Sequence, residues 1–179
     1  VSHPARAQSS PPAAIERLRT PDAEVRVQAA RELAALGPAA ASAVPALAAR
    51  LADDVPEVRA YVCYALGRIG PDAAPVFPKI AERVADVDPH VRREAVKALR
   101  RLQVDPAQLI PVMVRVLESS SSEEVVPAMQ AIAEIGKEAV PALVEALKHE
   151  EARYWACQIL SEIGPDAADA APAIAATLQ

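Results

Sequence analysis

The sequence predicts an all-α protein, folded as a right-handed α-solenoid (α-α superhelix) of stacked two-helix repeats. Prolines recur every 33 residues at equivalent points of the predicted repeat: Pro12, Pro45, Pro78 and Pro111. Valines keep the same spacing: Val25, Val58 and Val91. A unit of about 33 residues is too short to bury its own apolar face, so it must stack on its neighbours.

Each valine marks the first helix of a repeat, which we call the A helix. Residues four, five, seven, eight and eleven positions after it are mostly apolar, as in a half-buried helix with a period of about 3.6 residues. The predicted A helices are 25–37, 58–70, 91–103, 124–136 and 152–164. Most end in Gly or Gly-Pro, because glycine takes the left-handed conformation without a steric penalty and proline cannot continue the helix.

The second helix of each repeat, the B helix, is predicted to begin at the recurring proline. Proline suits a first helical turn, since its missing N–H would be unpaired there anyway. The predicted units are a flexible tail, a half-repeat and five repeats: 1–11, 12–20, 21–53, 54–87, 88–120, 121–149 and 150–179. In the half-repeat we expect Ile15 and Leu18 to face inward. Because solenoids normally end in a polar capping unit, we expect this chain to be part of a longer protein.

The fourth repeat departs from the pattern. Val125 replaces the arginine that follows the anchor in the other repeats, and Pro127 falls inside the predicted A helix. An interior proline costs about 3 kcal/mol. We therefore expect the superhelix to change curvature between the third and fourth repeats.

Two segments resemble a known repeat family most clearly. Residues 58–71 combine Val-Arg with Ala-Leu-Gly-Arg-Ile-Gly-Pro, and residues 135–143 read Ile-Gly-Lys-Glu-Ala-Val-Pro-Ala-Leu. These motifs resemble HEAT-like repeats of the short bacterial type that also occurs in phycobilin lyase subunits. The resemblance covers nearly the whole chain and implies an armadillo-like superhelix. It also implies one alternative function, that of a lyase-like subunit handling a tetrapyrrole.

The charge is unevenly distributed along a chain of net charge -5. Residues 1–87 balance, residues 88–117 sum to +3 and residues 118–179 sum to -8. An acidic chain is not expected to bind nucleic acid or anionic membranes in general. No uninterrupted apolar run approaches the roughly 18 residues that a spanning helix needs, so no membrane insertion is expected.

No catalytic, metal or cofactor site is predicted. Cys63 and Cys157 fall at core positions of two A helices, too far apart for a disulfide. The three histidines lack a second His or Cys three or four residues away, and no phosphate-binding loop or nucleophile motif is present. The sequence therefore predicts a protein that is not an enzyme and needs no cofactor.

A column of arginines follows the anchor position: Arg26, Arg59, Arg92 and Arg153. Acidic residues lie one to three positions before the anchors: Asp22, Glu24, Glu57, Asp88, Glu150 and Glu151. A ladder of ion pairs between repeats is the favoured interpretation, and an anion-binding stripe is the alternative.

Two groups of residues are candidates for binding a protein partner. The first consists of charged B-helix residues expected to line a concave face: Arg50, Lys79, Glu82, Arg83, Arg115 and Glu145. A groove of mixed charge favours a charged polypeptide over a lipid or an apolar cofactor. The second consists of aromatic A-helix residues on or beside the polar side: Tyr61, Tyr64, Tyr154 and Trp155. Tyrosine and tryptophan are enriched in interface hot spots, and partial burial is the alternative explanation.

The sequence thus favours a non-enzymatic protein-interaction scaffold, expected as a monomeric module of a larger chain. The alternatives are a structural spacer and the lyase-like subunit. A fourth, less favoured reading is nucleic-acid binding by a basic cluster on the third A helix: Arg93, Lys97, Arg100 and Arg101. The segment Ala5-Arg6-Ala7 resembles a signal-peptide cleavage site and favours export over a cytoplasmic location, with an alanine-rich linker as the alternative.

Overall fold

The computed structural model describes residues 10–105, 108, 129–130 and 132–177. In the first of these ranges six α-helices follow one another: α1 Pro11–Arg17, α2 Ala23–Leu36, α3 Val44–Arg50, α4 Pro56–Ile69, α5 Phe77–Ala81 and α6 Pro89–Leu102. Three more lie in the last range: α7 Val140–Ala146, α8 Glu150–Ile163 and α9 Ala171–Ala176. No β-strand occurs in these ranges, so the described protein is all-α.

The helices alternate between two lengths. The A helices α2, α4, α6 and α8 each have 14 residues. The B helices α1, α3, α5, α7 and α9 have only five to seven. Helix α4 packs between α2 and α6, so neighbouring A helices stack side by side. This arrangement is the predicted α-solenoid.

The buried side chains of the core recur with the same 33-residue period as the sequence. Leucines one repeat apart are buried at the same point of α2, α4 and α6: Leu33, Leu66 and Leu99. A matching row lies just after the B helices α1, α3 and α5: Leu18, Leu51 and Val84. Most of the remaining core side chains are alanine or valine, and these small residues let adjacent helices approach closely.

An aspartate caps the N-terminus of two of the A helices, α2 and α6. Asp22 accepts hydrogen bonds from the N–H groups of Glu24 and Val25 at the start of α2. Asp88 accepts equivalent bonds at the start of α6. Each carboxylate satisfies backbone donors that the first helical turn leaves unpaired.

The A helices that end in glycine do so in a backbone conformation different from the one that the sequence suggests. Four glycines follow helix ends with positive φ, as expected: Gly37, Gly70, Gly136 and Gly164. The predicted left-handed helical conformation is nevertheless wrong, because Gly70, for example, has φ 79° and ψ -141°. At the end of α6 the non-glycine residue Gln103 does adopt it, with φ 53° and ψ 37°.

In the described ranges, four of the segments that connect A to B helices are 3₁₀ helices, where the sequence suggested only short linkers. Three of them have seven residues each: Gly37–Ala43, Gly70–Val76 and Gly164–Ala170. A shorter one, Gly136–Ala139, precedes α7. Alanine and proline fill these segments, and the recurring proline then occupies the first turn of the following B helix, as predicted.

One described stretch, residues 23–50, is long and apolar enough to span a membrane. The expectation that no stretch approaches this length was therefore wrong. The structure divides the stretch at Gly37 into α2 and α3. Within it, Leu33 and Leu47 are fully buried in the protein core, and Val27 and Val44 are nearly so. Its hydropathy thus reflects interior packing between repeats.

Some predictions fall outside the described residues, and two of them concern larger features of the chain. One is the change of curvature expected near Ser119–Ser122 and Pro127, and the other is the processing site suggested by Ala5-Arg6-Ala7. Both stay predictions.

Candidate functional site

Buried ion pairs join the turns between successive repeats. Asp53 follows α3, and its Oδ1 lies 2.8 Å from Arg26 Nη2 of α2. One repeat later, Asp86 accepts two hydrogen bonds of 2.8 Å from Arg59 Nε and Nη2. All four side chains are almost fully shielded from solvent. Paired, hydrogen-bonded charges of this kind fix the geometry of their surroundings.

The same arginines also bind the turn that precedes their own helix. Each donates to backbone carbonyls five or six residues earlier, at 2.7 to 3.2 Å: Arg26 to Thr20 and Pro21, Arg59 to Asp53 and Asp54, Arg92 to Asp86 and Val87, and Arg153 to Leu147. Arg26 and Arg59 therefore each bind two consecutive turns. They bind the turn before their own helix through backbone carbonyls, and the turn after the following B helix through an aspartate side chain.

The predicted ladder of ion pairs between repeats is confirmed only in part, and its predicted carboxylates were wrong. Arg26 and Arg59 each form an ion pair with an aspartate at the end of their own predicted repeat, whereas Arg92 and Arg153 form none with any described side chain. We expected partners one to three residues before each anchor valine. Asp22 and Asp88, two of those candidates, cap helices instead. The actual partners are Asp53 and Asp86, each 27 residues after its arginine. The anion-binding alternative is disfavoured for Arg26 and Arg59, since their guanidinium groups are already paired and buried.

The ion pairs shift the ionisation of their members. Burial alone would raise the pKa of Asp53, but hydrogen bonds from Arg26 and the Val55 N–H, with the charges of Arg26 and Arg50, lower it overall. The hydrogen bond to Asp86 raises the pKa of Arg59. Both groups therefore stay charged at neutral pH.

The charged B-helix candidates differ in how exposed their side chains are. Arg50 lies 3.6 Å from Asp53, and Arg83 lies 3.4 Å from Asp86. Lys79, Glu82 and Glu145 are exposed. Glu82 and Glu145 also form surface ion pairs, with Arg83 at 3.6 Å and with Lys148 at 2.5 Å. We call Arg50, Lys79, Glu82, Arg83 and Glu145 the B-helix surface. The sixth candidate, Arg115, lies outside the described residues.

The A helices form a groove that sequence reasoning did not anticipate. The groove lies between α4 and α6 and has a volume of about 270 Å³. Seven residues line it: Ala60, Tyr61, Tyr64, His90, Glu94, Lys97 and Arg101. We call it the α4–α6 groove. The sequence singled out both tyrosines and both cations, but in separate hypotheses, and missed His90 and Glu94. The 33-residue spacing of Tyr64 and Lys97 is the signal that could have joined them.

Neighbouring side chains hold the walls of this groove. The Arg31 guanidinium lies 5.4 Å from the centre of the Tyr61 ring, which is a cation–π contact. On the opposite wall, formed by α6, Lys97 Nζ donates to Glu94 Oε1 at 2.8 Å. The groove thus has an aromatic wall from α4 and a charged wall from α6.

The other aromatic candidates lie together on α8. The rings of Tyr154 and Trp155 meet edge to face, with centres 4.9 Å apart. Tyr154 is 61% exposed, whereas Trp155 is partly buried against the core. The two interpretations made from the sequence therefore apply to different residues, because Tyr154 is exposed and Trp155 is partly buried.

The thiol of Cys63 is unsuited to nucleophilic chemistry. Complete burial raises its pKa to about 12, so it stays protonated. Within the part of the chain that the structure describes, no group of three or more His, Cys, Asp or Glu side chains could hold a metal ion.

Comparisons with known proteins agree with this architecture. Residues 11–83 match HEAT repeats, and residues 128–149 match the PBS lyase HEAT-like repeat. No curated protein matches the sequence.

Solved structures with the same fold include natural and designed solenoids. An engineered protein is 25% identical, with 92% of this chain and 83% of that chain covered and a TM-score of 0.52. The complex of CpcE and CpcF of phycocyanin lyase from Nostoc sp. PCC7120 contains a chain that is 22% identical, with 92% and 69% covered and a TM-score of 0.55. A designed armadillo repeat protein in complex with the peptide (KR)4 is 20% identical, with 87% and 82% covered and a TM-score of 0.50.

The repeat spacing, the stacked A helices and these matches lead to one conclusion. The chain is a HEAT-like repeat protein with an all-α solenoid fold, and its segment at 128–149 is of the PBS lyase HEAT-like type.

Proposed function

We propose that this chain is a non-enzymatic scaffold that presents its B-helix surface to a charged polypeptide. One observation carries the proposal. Arg50 and Arg83 occupy equivalent positions in successive repeats, and each is held by an equivalent aspartate, Asp53 or Asp86. Two guanidinium groups are thereby fixed one repeat apart while their side chains stay 33% and 24% exposed.

A surface fixed in this way favours binding because less conformational entropy is lost on association. The arginines are ordered by ion pairs before any partner arrives. Lys79 and Glu82 add exposed charges of both signs beside Arg83. Mixed charges contribute mainly to the choice of partner and to the rate of encounter.

The similar proteins support a protein partner for this fold. CpcE and CpcF form a complex with each other, and the designed armadillo repeat protein binds a peptide of lysine and arginine. The basic residues of the B-helix surface suit a partner with acidic groups, unlike that cationic peptide.

A lyase-like enzyme subunit is the second candidate. It is favoured by the PBS lyase HEAT-like match at 128–149. This function predicts a change in visible absorbance when the purified chain is mixed with a bilin. A structural spacer, the third candidate, predicts no partner and no absorbance change.

The test compares two variants that keep the net charge of the chain. Lys79→Glu with Glu145→Lys exchanges two exposed charges of the B-helix surface. Lys137→Glu with Glu138→Lys makes the same exchange in the 3₁₀ segment Gly136–Ala139, as the control. Reversing Arg50 or Arg83 is avoided, because it would place a carboxylate beside a buried aspartate.

Each protein is used to capture partners from source-cell extract with and without nuclease, and a protein partner is then purified and titrated by calorimetry. We expect the B-helix variant to weaken binding at least about tenfold, equivalent to about 1.4 kcal/mol, and the control to match wild type. Equal affinity of all three proteins would overturn the proposed surface. Capture of nothing would favour the spacer.

A further inference from the structure

We infer that the α4–α6 groove binds a short acidic polypeptide segment that carries an apolar anchor residue. This second site is separate from the B-helix surface and does not depend on the function proposed for that surface. The inference rests on the shape of the groove, on the repetition of its residues and on the charge around it.

The two walls of the groove offer different chemistry. Tyr61 and Tyr64 are half-buried, so their rings present apolar faces while remaining accessible. Lys97 and Arg101 are exposed on the opposite wall. A volume of about 270 Å³ accommodates one or two side chains rather than a folded domain. An apolar side chain can therefore lie against the tyrosines while neighbouring carboxylates reach the cations.

The groove belongs to a stripe that crosses three repeats. Arg31, Tyr64 and Lys97 are spaced by 33 residues and occupy the same position in α2, α4 and α6. Arg31 also stacks on Tyr61, which extends the stripe toward the first repeat. An extended segment lying across the A helices would thus meet a cation, then aromatic rings, then further cations.

Most of the cationic side chains around the groove are not paired with a described carboxylate. Five exposed arginines of α2, α4 and α6 form no ion pair with any residue in the described ranges: Arg31, Arg68, Arg93, Arg100 and Arg101. Lys97 has one carboxylate partner, Glu94. This local excess contrasts with the net charge of -5 for the whole chain. Charge complementarity therefore specifies an anionic ligand at this place.

The arrangement favours carboxylates of a polypeptide over the phosphates of a nucleic acid. Nucleic-acid binding along a solenoid needs basic residues repeated over many positions. Here the α4 wall supplies tyrosines instead, and the Glu94 carboxylate lines the groove itself. A few localised cations beside an aromatic wall match a short acidic motif better than a continuous polyanion.

The test uses the full chain and a fluorescein-labelled peptide in which three glutamates flank a central phenylalanine on each side. Binding is followed by fluorescence anisotropy. A second peptide replaces the phenylalanine with serine, and a third replaces the glutamates with lysines. A labelled oligothymidylate serves as the nucleic-acid probe.

The groove variant is Lys97→Gln with Arg101→Gln, which removes both charges without placing a new carboxylate beside Glu94. The matched control, Arg19→Gln with Lys137→Gln, removes two exposed charges elsewhere. We expect the groove variant to weaken the acidic peptide at least about fivefold and the control to change it less than about twofold. Tyr64→Ala and the serine peptide should each weaken binding at least about threefold.

Circular dichroism confirms that each variant is folded before titration. Equal peptide affinity for wild type and the groove variant would overturn the inference, as would equal loss in the control. Tighter binding of oligothymidylate than of the peptide, with a steep salt dependence, would assign the cations to nucleic acid instead. A failed capture experiment on the B-helix surface would leave these results unaffected.

Discussion

At the scale of single residues, the arginine after each anchor is the most informative part of the repeat. Arg59 donates to the carbonyls of Asp53 and Asp54 before its helix and to the Asp86 carboxylate after the next B helix. One side chain thereby joins two turns that are more than thirty residues apart in the chain. This geometry explains why the arginine recurs with the period of the fold.

The ion pair of Asp53 is expected to contribute measurably to stability. Asp53→Asn removes the charge that pairs with the buried Arg26, so we expect the free energy of unfolding to fall by about 2–3 kcal/mol. Urea unfolding followed by circular dichroism measures this change. Asp54→Asn, at the exposed neighbour, serves as the control and should change stability by less than about 0.5 kcal/mol.

The same pair predicts a specific dependence on pH. The pKa of Asp53 is lower in the folded state, so its contribution is present above the unfolded pKa of about 3.9 and is lost as the pH falls through the folded value. The difference in stability between wild type and Asp53→Asn should therefore be constant from pH 7 to about pH 5 and shrink below about pH 4. A difference that stays constant into acid would contradict the assigned role of the carboxylate.

At the scale of elements, one glycine allows the close approach of α4 and α6. A Cβ atom placed on Gly67 of α4 would lie 2.8 Å from the Cα and 3.1 Å from the Cβ of Ala98 in α6. The equivalent residue of α2 is Ala34, which is buried and carries a Cβ. The α4–α6 interface thus depends on a missing side chain where the α2–α4 interface does not.

Gly67→Ala is expected to destabilise the protein although alanine is the better helix former. The clash is with backbone, so the helices must separate, and we expect a loss of about 1–3 kcal/mol. Thermal unfolding of this variant and of the exposed neighbour Arg68→Ala, as control, tests the expectation. A raised Tm for Gly67→Ala would show that the interface is looser than the structure indicates.

At the scale of the whole molecule, stability is expected to vary along the solenoid, because each repeat is supported only by its neighbours. Helix α4 packs between two A helices and buries nine of its residues. Helix α9 buries none. The interior repeats should therefore be the last to open.

Amide hydrogen exchange measures this gradient directly. We expect the amides of α4 to exchange most slowly and those of α9 to be among the fastest helical amides, because exchange follows local opening. The Gly67→Ala variant should accelerate exchange in α4 and α6 more than in α8. Uniform protection from α1 to α9 would indicate a single cooperative unit and contradict the expectation.

The sequence by itself determined the repeat length, the alternation of A and B helices and the proline in the first turn of each described B helix. It also placed Arg93, Lys97, Arg100 and Arg101 on an exposed face, as the structure has them. These features depend on contacts within a helix or between equivalent positions of adjacent repeats. Periodicity alone therefore reveals them.

Only the tertiary structure decided which carboxylates pair with the arginines and which candidates share a surface. Asp53 and Asp86 come within reach of Arg26 and Arg59 because the B helices return the chain to the same edge of the stack. The α4–α6 groove likewise exists only once two A helices lie side by side. Side-chain pairing across turns depends on the angles at which helices pack, and a linear sequence does not specify those angles.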